Sequence, residues 1–182
     1  MPVRTGKEYL EGLRDCREIW YAGERIADVA THPALKNTAQ SIAHLYDLQH
    51  EPDLKNIMTY SSPTSGARVG MSDIMPRTTD DLVKRRQMMK VWADATCGMM
   101  GRTPDFLNVS VIGFASHRDL FAQCGPQYGE NIWRDYEYIR EHDLCLTHTL
   151  VPPYGGRFLP HNNSRGSHSS PCHRPPARRH SL

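Results

Sequence analysis

Apolar positions recur with helical spacing in four stretches of this chain, with short alternating runs between them. The first runs from about Gly6 to Asp15 and is opened by Thr5-Gly6-Lys7-Glu8. That string has the S/T-x-x-E form of a capping box, in which the Thr hydroxyl and the Glu carboxylate each accept from the other residue's backbone N–H. The second, His32–His50, carries Leu35, Ala39, Ile42, Leu45 and Tyr46 on one face. The third begins at Thr79-Asp80-Asp81 and reaches about Cys97. Its apolar positions Leu82, Met89, Trp92, Ala93 and Thr96 keep helical spacing, while Lys84, Arg85 and Arg86 fall mostly outside that face. The fourth, Glu130–His142, turns Ile132, Trp133, Tyr136 and Ile139 inward.

Arg17–Tyr21 and Glu24–Val29 alternate around Ala22-Gly23, the pattern of a short hairpin. Glu51–Met75 is rich in Ser, Pro and Gly and predicts turns around short strands such as Ile57–Tyr60. Met99–Gly101 breaks the pattern, and Arg102-Thr103-Pro104-Asp105 opens the next element, since Pro104 is tolerated in a first helical turn. Phe106–Ala115 fits a strand by its β-branched residues and a buried helix equally well. Leu144–Val151 alternates cleanly, which puts Leu144, Leu146, His148 and Leu150 on one face of a strand. The reading is mostly α, without internal repeats.

At 182 residues the chain has room for one domain with a real core. Its 38% hydrophobic and 23% charged residues describe an ordinary soluble protein. No apolar run approaches the roughly 20 residues of a membrane helix. The opening MPVRTGKEYLEGLRD has no apolar export segment, so the cytoplasm is the expected compartment. Cys16, Cys97, Cys124, Cys145 and Cys172 form no CxxC pair and read as reduced thiols, with no metal site.

Charge divides the chain. From Pro152 onward there are five Arg (157, 165, 174, 178, 179), no Lys and no acidic residue, with six Pro, five Ser and four His. Residues 1–151 carry 17 basic against 20 acidic side chains. The last 31 residues have no periodicity and too little apolar area to offset ordering entropy, so a disordered tail is expected over 152–182. Five arginines without acids suit a nucleic-acid-binding arm on a non-enzymatic helical module. An out-of-frame reading is preferred, because the pattern is lost abruptly at Val151-Pro152, inside a strand-like run. The spacing of His161, His168, His173 and His180 fits no defined metal site.

Three strings point to a family. They are Thr5–Asp15 with Gly23–Val29 and His32-Pro33-Ala34; Gly101–Asn108 (GRTPDFLN); and Asp143–Val151 (DLCLTHTLV). In order and spacing, residues 1–151 resemble the N-terminal domain of the 4-hydroxyphenylacetate 3-monooxygenase family. The resemblance implies an acyl-CoA dehydrogenase-like fold: an N-terminal helical domain with a short hairpin, ending here at the first strand of a missing β-domain. It also implies a two-component hydroxylase that receives FADH2 from a separate flavin reductase and uses O2 to hydroxylate a phenol ortho to its oxygen. The full-length family forms homotetramers.

Around the phenolic oxygen the family places an Arg, a Tyr and a His. The Arg corresponds to Arg102 and the His to His148, while Phe106 occupies the Tyr position. His148, Thr149, Leu150 and Val151 correspond to the first stretch that touches FAD. The residue types suit the chemistry. An always-charged guanidinium stabilises the electron-rich phenolate, and an imidazole exchanges the phenolic proton near neutrality. Phe106 lacks the hydroxyl. Outside the motif, Arg102 suits a carboxylate partner such as Asp105, His148 a hydrogen-bonded buried histidine, and Phe106 the core. A related reading, 4-hydroxybutyryl-CoA dehydratase, requires clustered cysteines for an iron–sulfur centre. Cys97 has only Met99, Met100 and Gly101 near it.

The tail reading is checked by amide exchange: no protection is expected beyond Pro152, and removing residues 152–182 should leave the thermal midpoint unchanged.

Overall fold

Residues 3–98 and 105–146 are described in the computed structural model. The first helix, α1, spans Gly6–Gly12. Its capping box forms as read: Thr5 Oγ1 accepts from the Glu8 amide at 3.2 Å, and Glu8 accepts from the Thr5 amide at 2.7 Å. The helix stops short of Asp15 because that side chain takes the Arg17 amide and guanidinium instead, a local turn that competes with the helix. The hairpin follows, with β1 at Ile19–Tyr21 and β2 at Glu24–Ile26 paired in the register Ile19↔Ile26. Ala22 and Gly23 both have positive φ, 51° and 85°, as a two-residue type I′ turn requires.

The second helix, α2, spans Lys36–Asp47 and passes into a 3-10 turn at Leu48–His50. It begins later than expected from His32. Asp28 first accepts from the Ala30 amide and His32 Nδ1 from the Ala34 amide, so the chain turns before it coils. The expected inward face holds, with Ala39, Leu45 and Tyr46 buried. A short α3 (Lys55–Met58) leads into β3 (Thr59–Ser61), which pairs antiparallel with β4 (Arg68–Gly70).

The long helix, α4, spans Thr79–Ala95, capped by Thr78 and Asp81. Its inward face differs from the expected one. Arg85, Met88 and Trp92 are buried, whereas Leu82 and Met89 are exposed. The cause is a cation hydropathy cannot place inside: Arg85 donates to the Ser72 carbonyl, and that satisfied bond rotates the face toward Met88. The ambiguous segment is a helix, α5, at Asp105–Ser116. Then come α6 (Arg118–Ala122) and α7 (Pro126–Glu141), which starts four residues before Glu130 with Pro126 in its first turn. Tyr136 is buried as expected, and Ile132 and Trp133 pack partly buried beside it.

Leu45, Met58, Met71, Met88 and Trp92 form one apolar cluster joining α2, α3 and α4. Ile112, Ala115 and Tyr136 form a second, between α5 and α7. Arg140, on the last turn of α7, is almost fully buried. Its guanidinium lies 4.9 Å from the Tyr136 ring and donates to Glu141 at 2.8 Å and to Thr64 Oγ1 at 2.6 Å. Burial works against ionisation of Glu141, but the Ser62 and Ser65 hydroxyls and Arg140 outweigh it and hold this carboxyl below its ordinary range. The β3–β4 loop is thereby fastened to α7. No strand forms at Leu144–Leu146, contrary to expectation; the remainder of that run, 147–151, lies outside the described residues, as do the expected tail and the break at 99–101. Cys97, Cys124 and Cys145 are free thiols, whereas Cys16 is disulfide-bonded, which corrects the reading there. Among the described residues no helix is long and apolar enough to cross a membrane.

Gly6 is where α1 meets α2. A Cβ there would overlap the Ala43 carbonyl oxygen and sit 2.6 Å from Asp47 Oδ2, while Asp47 Oδ1 accepts from the Gly6 amide at 2.7 Å. Gly6→Ala should therefore destabilise the fold by about 2 kcal/mol, measured by denaturant unfolding.

Candidate functional site

Asp143, just after α7, lies in the left-handed region (φ 47°). Asp143 is buried and held from several sides. Its Oδ2 accepts from the Arg4 amide at 2.9 Å and from Gln49 Nε2 at 3.1 Å. Its carbonyl accepts from Arg4 Nε at 2.8 Å, from a second Arg4 nitrogen and from the Tyr46 hydroxyl at 3.2 Å. The Arg4 guanidinium also lies 4.9 Å from the Tyr46 ring, which stacks on Tyr9 at 5.1 Å. Behind the carboxylate, Gly70 leaves the needed space: a Cβ there would come 3.2 Å from Gln49 Oε1 and 3.4 Å from Asp143 Oδ1.

Burial pushes the Asp143 carboxyl above its ordinary range, against the lowering influence of the Arg4 amide, Gln49 and the Arg4 charge. The Tyr9 hydroxyl is likewise pushed up by burial, to about 12, and the Cys145 thiol is raised for the same reason. These phenols stay protonated donors at neutral pH and Cys145 stays an unreactive thiol.

Beside this clamp lies a small cavity of about 20 Å³, walled by Gln49, Ser72, Trp92, Asn108, Asp143 and Leu144 among others. It is far below the several hundred Å³ of a site for a drug-sized molecule. A larger, open groove of about 590 Å³ runs along α1 and α2, bordered by Lys7, Glu11, Arg14, His44 and Asp47. Among the described residues, no three or more His, Cys, Asp or Glu side chains are placed to hold a metal.

Of the residues singled out by the motifs, Phe106 is described. It sits in the first turn of α5 and is 44% exposed, which removes it from the core. Arg102, His148, Thr149, Leu150 and Val151 lie outside the described residues. In sequence, Phe106 in the first turn of α5 stands four residues after Arg102, and the clamped Asp143 stands five residues before His148. Sequence reading missed Arg4, Gln49, Trp92 and Asn108. Asp143 and Asn108 lie inside quoted motifs and so carried a signal; Arg4 and Gln49 carried none.

A helical domain whose last clamped segment leads directly into a further stretch of chain matches known proteins in both sequence and shape. The family model "4-hydroxyphenylacetate 3-hydroxylase N terminal" matches residues 5–169, running past the Val151 limit of the three motifs. The chain belongs to this family. It is 47% identical over 158 residues to the 4-hydroxyphenylacetate 3-monooxygenase oxygenase component of Geobacillus sp. (strain PA-9), covering 86% of this chain and 32% of that one. A crystal structure of the oxygenase component of 4-hydroxyphenylacetate 3-monooxygenase, complexed with FAD and 4-hydroxyphenylacetate, superposes with a TM-score of 0.76 at 42% identity. That match covers 86% of this chain and 32% of the other. An oxygen-tolerant archaeal 4-hydroxybutyryl-CoA dehydratase from N. maritimus matches with a TM-score of 0.67 over 79% of this chain and 28% of that one. At 18% identity the likeness is one of fold alone. The chain is thus a mostly helical N-terminal domain of this family, and it spans about a third of the length of the relatives it matches.

Removing the Asp143 carboxylate leaves the Arg4 amide and Gln49 without an acceptor. Asp143→Ala should cost about 3 kcal/mol in denaturant unfolding. Asp143→Asn keeps an acceptor and removes the titration. Because the folded-state pKa is raised, this group's contribution is fully present below the unfolded carboxylate pKa and is lost as pH rises through the folded value. The Asn variant should therefore gain stability relative to the parent as pH rises from about 4 toward neutrality.

Proposed function

We propose that this chain is the N-terminal part of the oxygenase component of a two-component aromatic hydroxylase. In this reading it works in the cytoplasm as part of a homotetramer, on a phenol and O2, with FAD reduced by a separate reductase. The observation that carries the reading is the likeness, at 42% identity across most of this chain, to a structure complexed with FAD and 4-hydroxyphenylacetate.

FAD, when bound, supplies the oxygen-activating chemistry. The protein's own contribution is to hold and polarise the phenol. Arg102 is assigned the phenolate, which its fixed charge stabilises, and His148 the phenolic proton, which an imidazole accepts and returns near neutral pH. Phe106, exposed at the start of α5, offers a ring face and no hydrogen bond. His148–Val151 are assigned an edge of the FAD site. The Arg4–Asp143 clamp is a positioning device for that edge, because it fixes the backbone immediately before it. The described cavity of about 20 Å³ cannot hold an isoalloxazine ring, so most of the FAD site falls to the two-thirds of the relatives' length that this chain does not span.

The test joins residues 1–151 to the remainder of the Geobacillus relative. Arg102→Ala and His148→Ala should each lower phenol hydroxylation by roughly 100-fold or more while the thermal midpoint holds. Flavin oxidation should continue, with peroxide released instead of product. Phe106→Tyr should be tolerated and tighten phenol binding by about 1 kcal/mol. Full coupling of flavin oxidation to product in folded Arg102→Ala and His148→Ala would remove both residues from the site. The 182-residue chain alone should show no stoichiometric binding of FAD at micromolar concentration.

A further inference from the structure

Among the described residues, two buried side-chain polar atoms have no hydrogen-bond partner, and both belong to residues that line the same cavity. They are the indole Nε1 of Trp92, on α4, and the amide Oδ1 of Asn108, on α5. Trp92 is 7% exposed and Asn108 4%. One atom is an obligate donor and the other an acceptor. Leaving either unpaired away from water costs as much as a lost hydrogen bond, so such pairs are rare in folded proteins. The other amide atom of Asn108 is already committed, donating from Nδ2 to Ser72 Oγ at 2.7 Å. Whichever way that amide is turned, one of its polar atoms remains for the cavity.

The cavity's size names the ligand. About 20 Å³ admits one water molecule and nothing larger that carries both a donor and an acceptor. Its wall is polar where it needs to be: Gln49, Ser72 and Asp143 join Trp92 and Asn108, while Leu45 and Met58 close the apolar side. We propose that the cavity is a built site for a single ordered water, which accepts from the Trp92 indole and donates to the Asn108 amide oxygen. The water ties α4 to α5 beside the clamped Asp143. The ends of these three elements border both segments assigned to the phenol, so the bridge is a positioning element for the wall of that pocket. The bridge itself does not depend on the hydroxylase reading, and its test uses no substrate.

The test is cross-relaxation between water and indole protons in the ¹⁵N-labelled 182-residue chain. Its three tryptophans, Trp20, Trp92 and Trp133, give three indole signals. Trp92→Phe assigns the relevant one, or Trp20→Phe and Trp133→Phe assign it by elimination if that variant does not fold. The Trp92 N–H should show a water cross-peak with the sign of dipolar relaxation, whereas exposed Trp20 shows only that of chemical exchange. Asn108→Asp, which keeps an acceptor, should retain the peak, and Asn108→Leu should lose it while the Trp92 signal itself persists. Absence of the peak in the parent chain overturns the proposal, as does its survival in folded Asn108→Leu.

Discussion

The contact on which this structure most depends joins Arg4 to Asp143, residues 139 apart in sequence. One end of the domain thereby closes on the other. The arginine spends its backbone amide on the carboxylate and its guanidinium on the carbonyl, and it covers the Tyr46 ring with what remains. A buried carboxylate is costly unless it is hydrogen-bonded; the Arg4 amide and Gln49 serve the Asp143 carboxylate, while the Arg4 guanidinium and Tyr46 serve its carbonyl. The chain before α1 brings the cation, α2 the tyrosine, the following 3-10 turn the glutamine, and β4 a glycine small enough to admit the side chain. Their mutual placement is set by one group's need for partners.

A second polar tie works alongside the first. Arg140 and Glu141 at the end of α7 hold Thr64, Ser62 and Ser65 of the β3–β4 loop. The two ties flank the exit from α7, so the backbone at 140–143 has little freedom before it enters the stretch that carries His148. Under the proposed hydroxylase reading, supports of this kind would hold the approach to His148 in place.

The sequence announced the parts of this fold whose signals are local. The α1 capping box, the type I′ hairpin at Ala22-Gly23 and the inward face of α2 depend on residues a few positions apart, and each formed. What failed depended on distant partners. Arg85 read as lying outside the inward face because hydropathy counts its charge, but the Ser72 carbonyl meets that charge inside the protein. With Arg85 inside, the inward face of α4 moved from Leu82 and Met89 to Met88. Segment 106–115 stayed ambiguous between strand and helix because its β-branched residues suit a strand while its largely apolar composition suits a buried helix equally well. The candidate chemistry at Arg102 and His148 was visible only through likeness to a family. Asp143 and Asn108 stood inside quoted motifs and Trp92 on a helical face, but their pairing was not visible, since nothing near Arg4 or Trp92 in sequence foretells its partner.

Closure of the domain between residues 4 and 143 also bears on how the protein is made. A ribosome adding about 5–20 residues per second releases Arg4 on the order of ten seconds before Asp143 exists. During that interval α1 and α2 must stay associated through the Gly6–Asp47 hydrogen bond and the packing of Tyr9, Ala43 and Tyr46, with the arginine waiting in solvent. The domain can lock only once Asp143 has been synthesised, so until then the nascent chain stays open at the place where the finished protein is most tightly fastened.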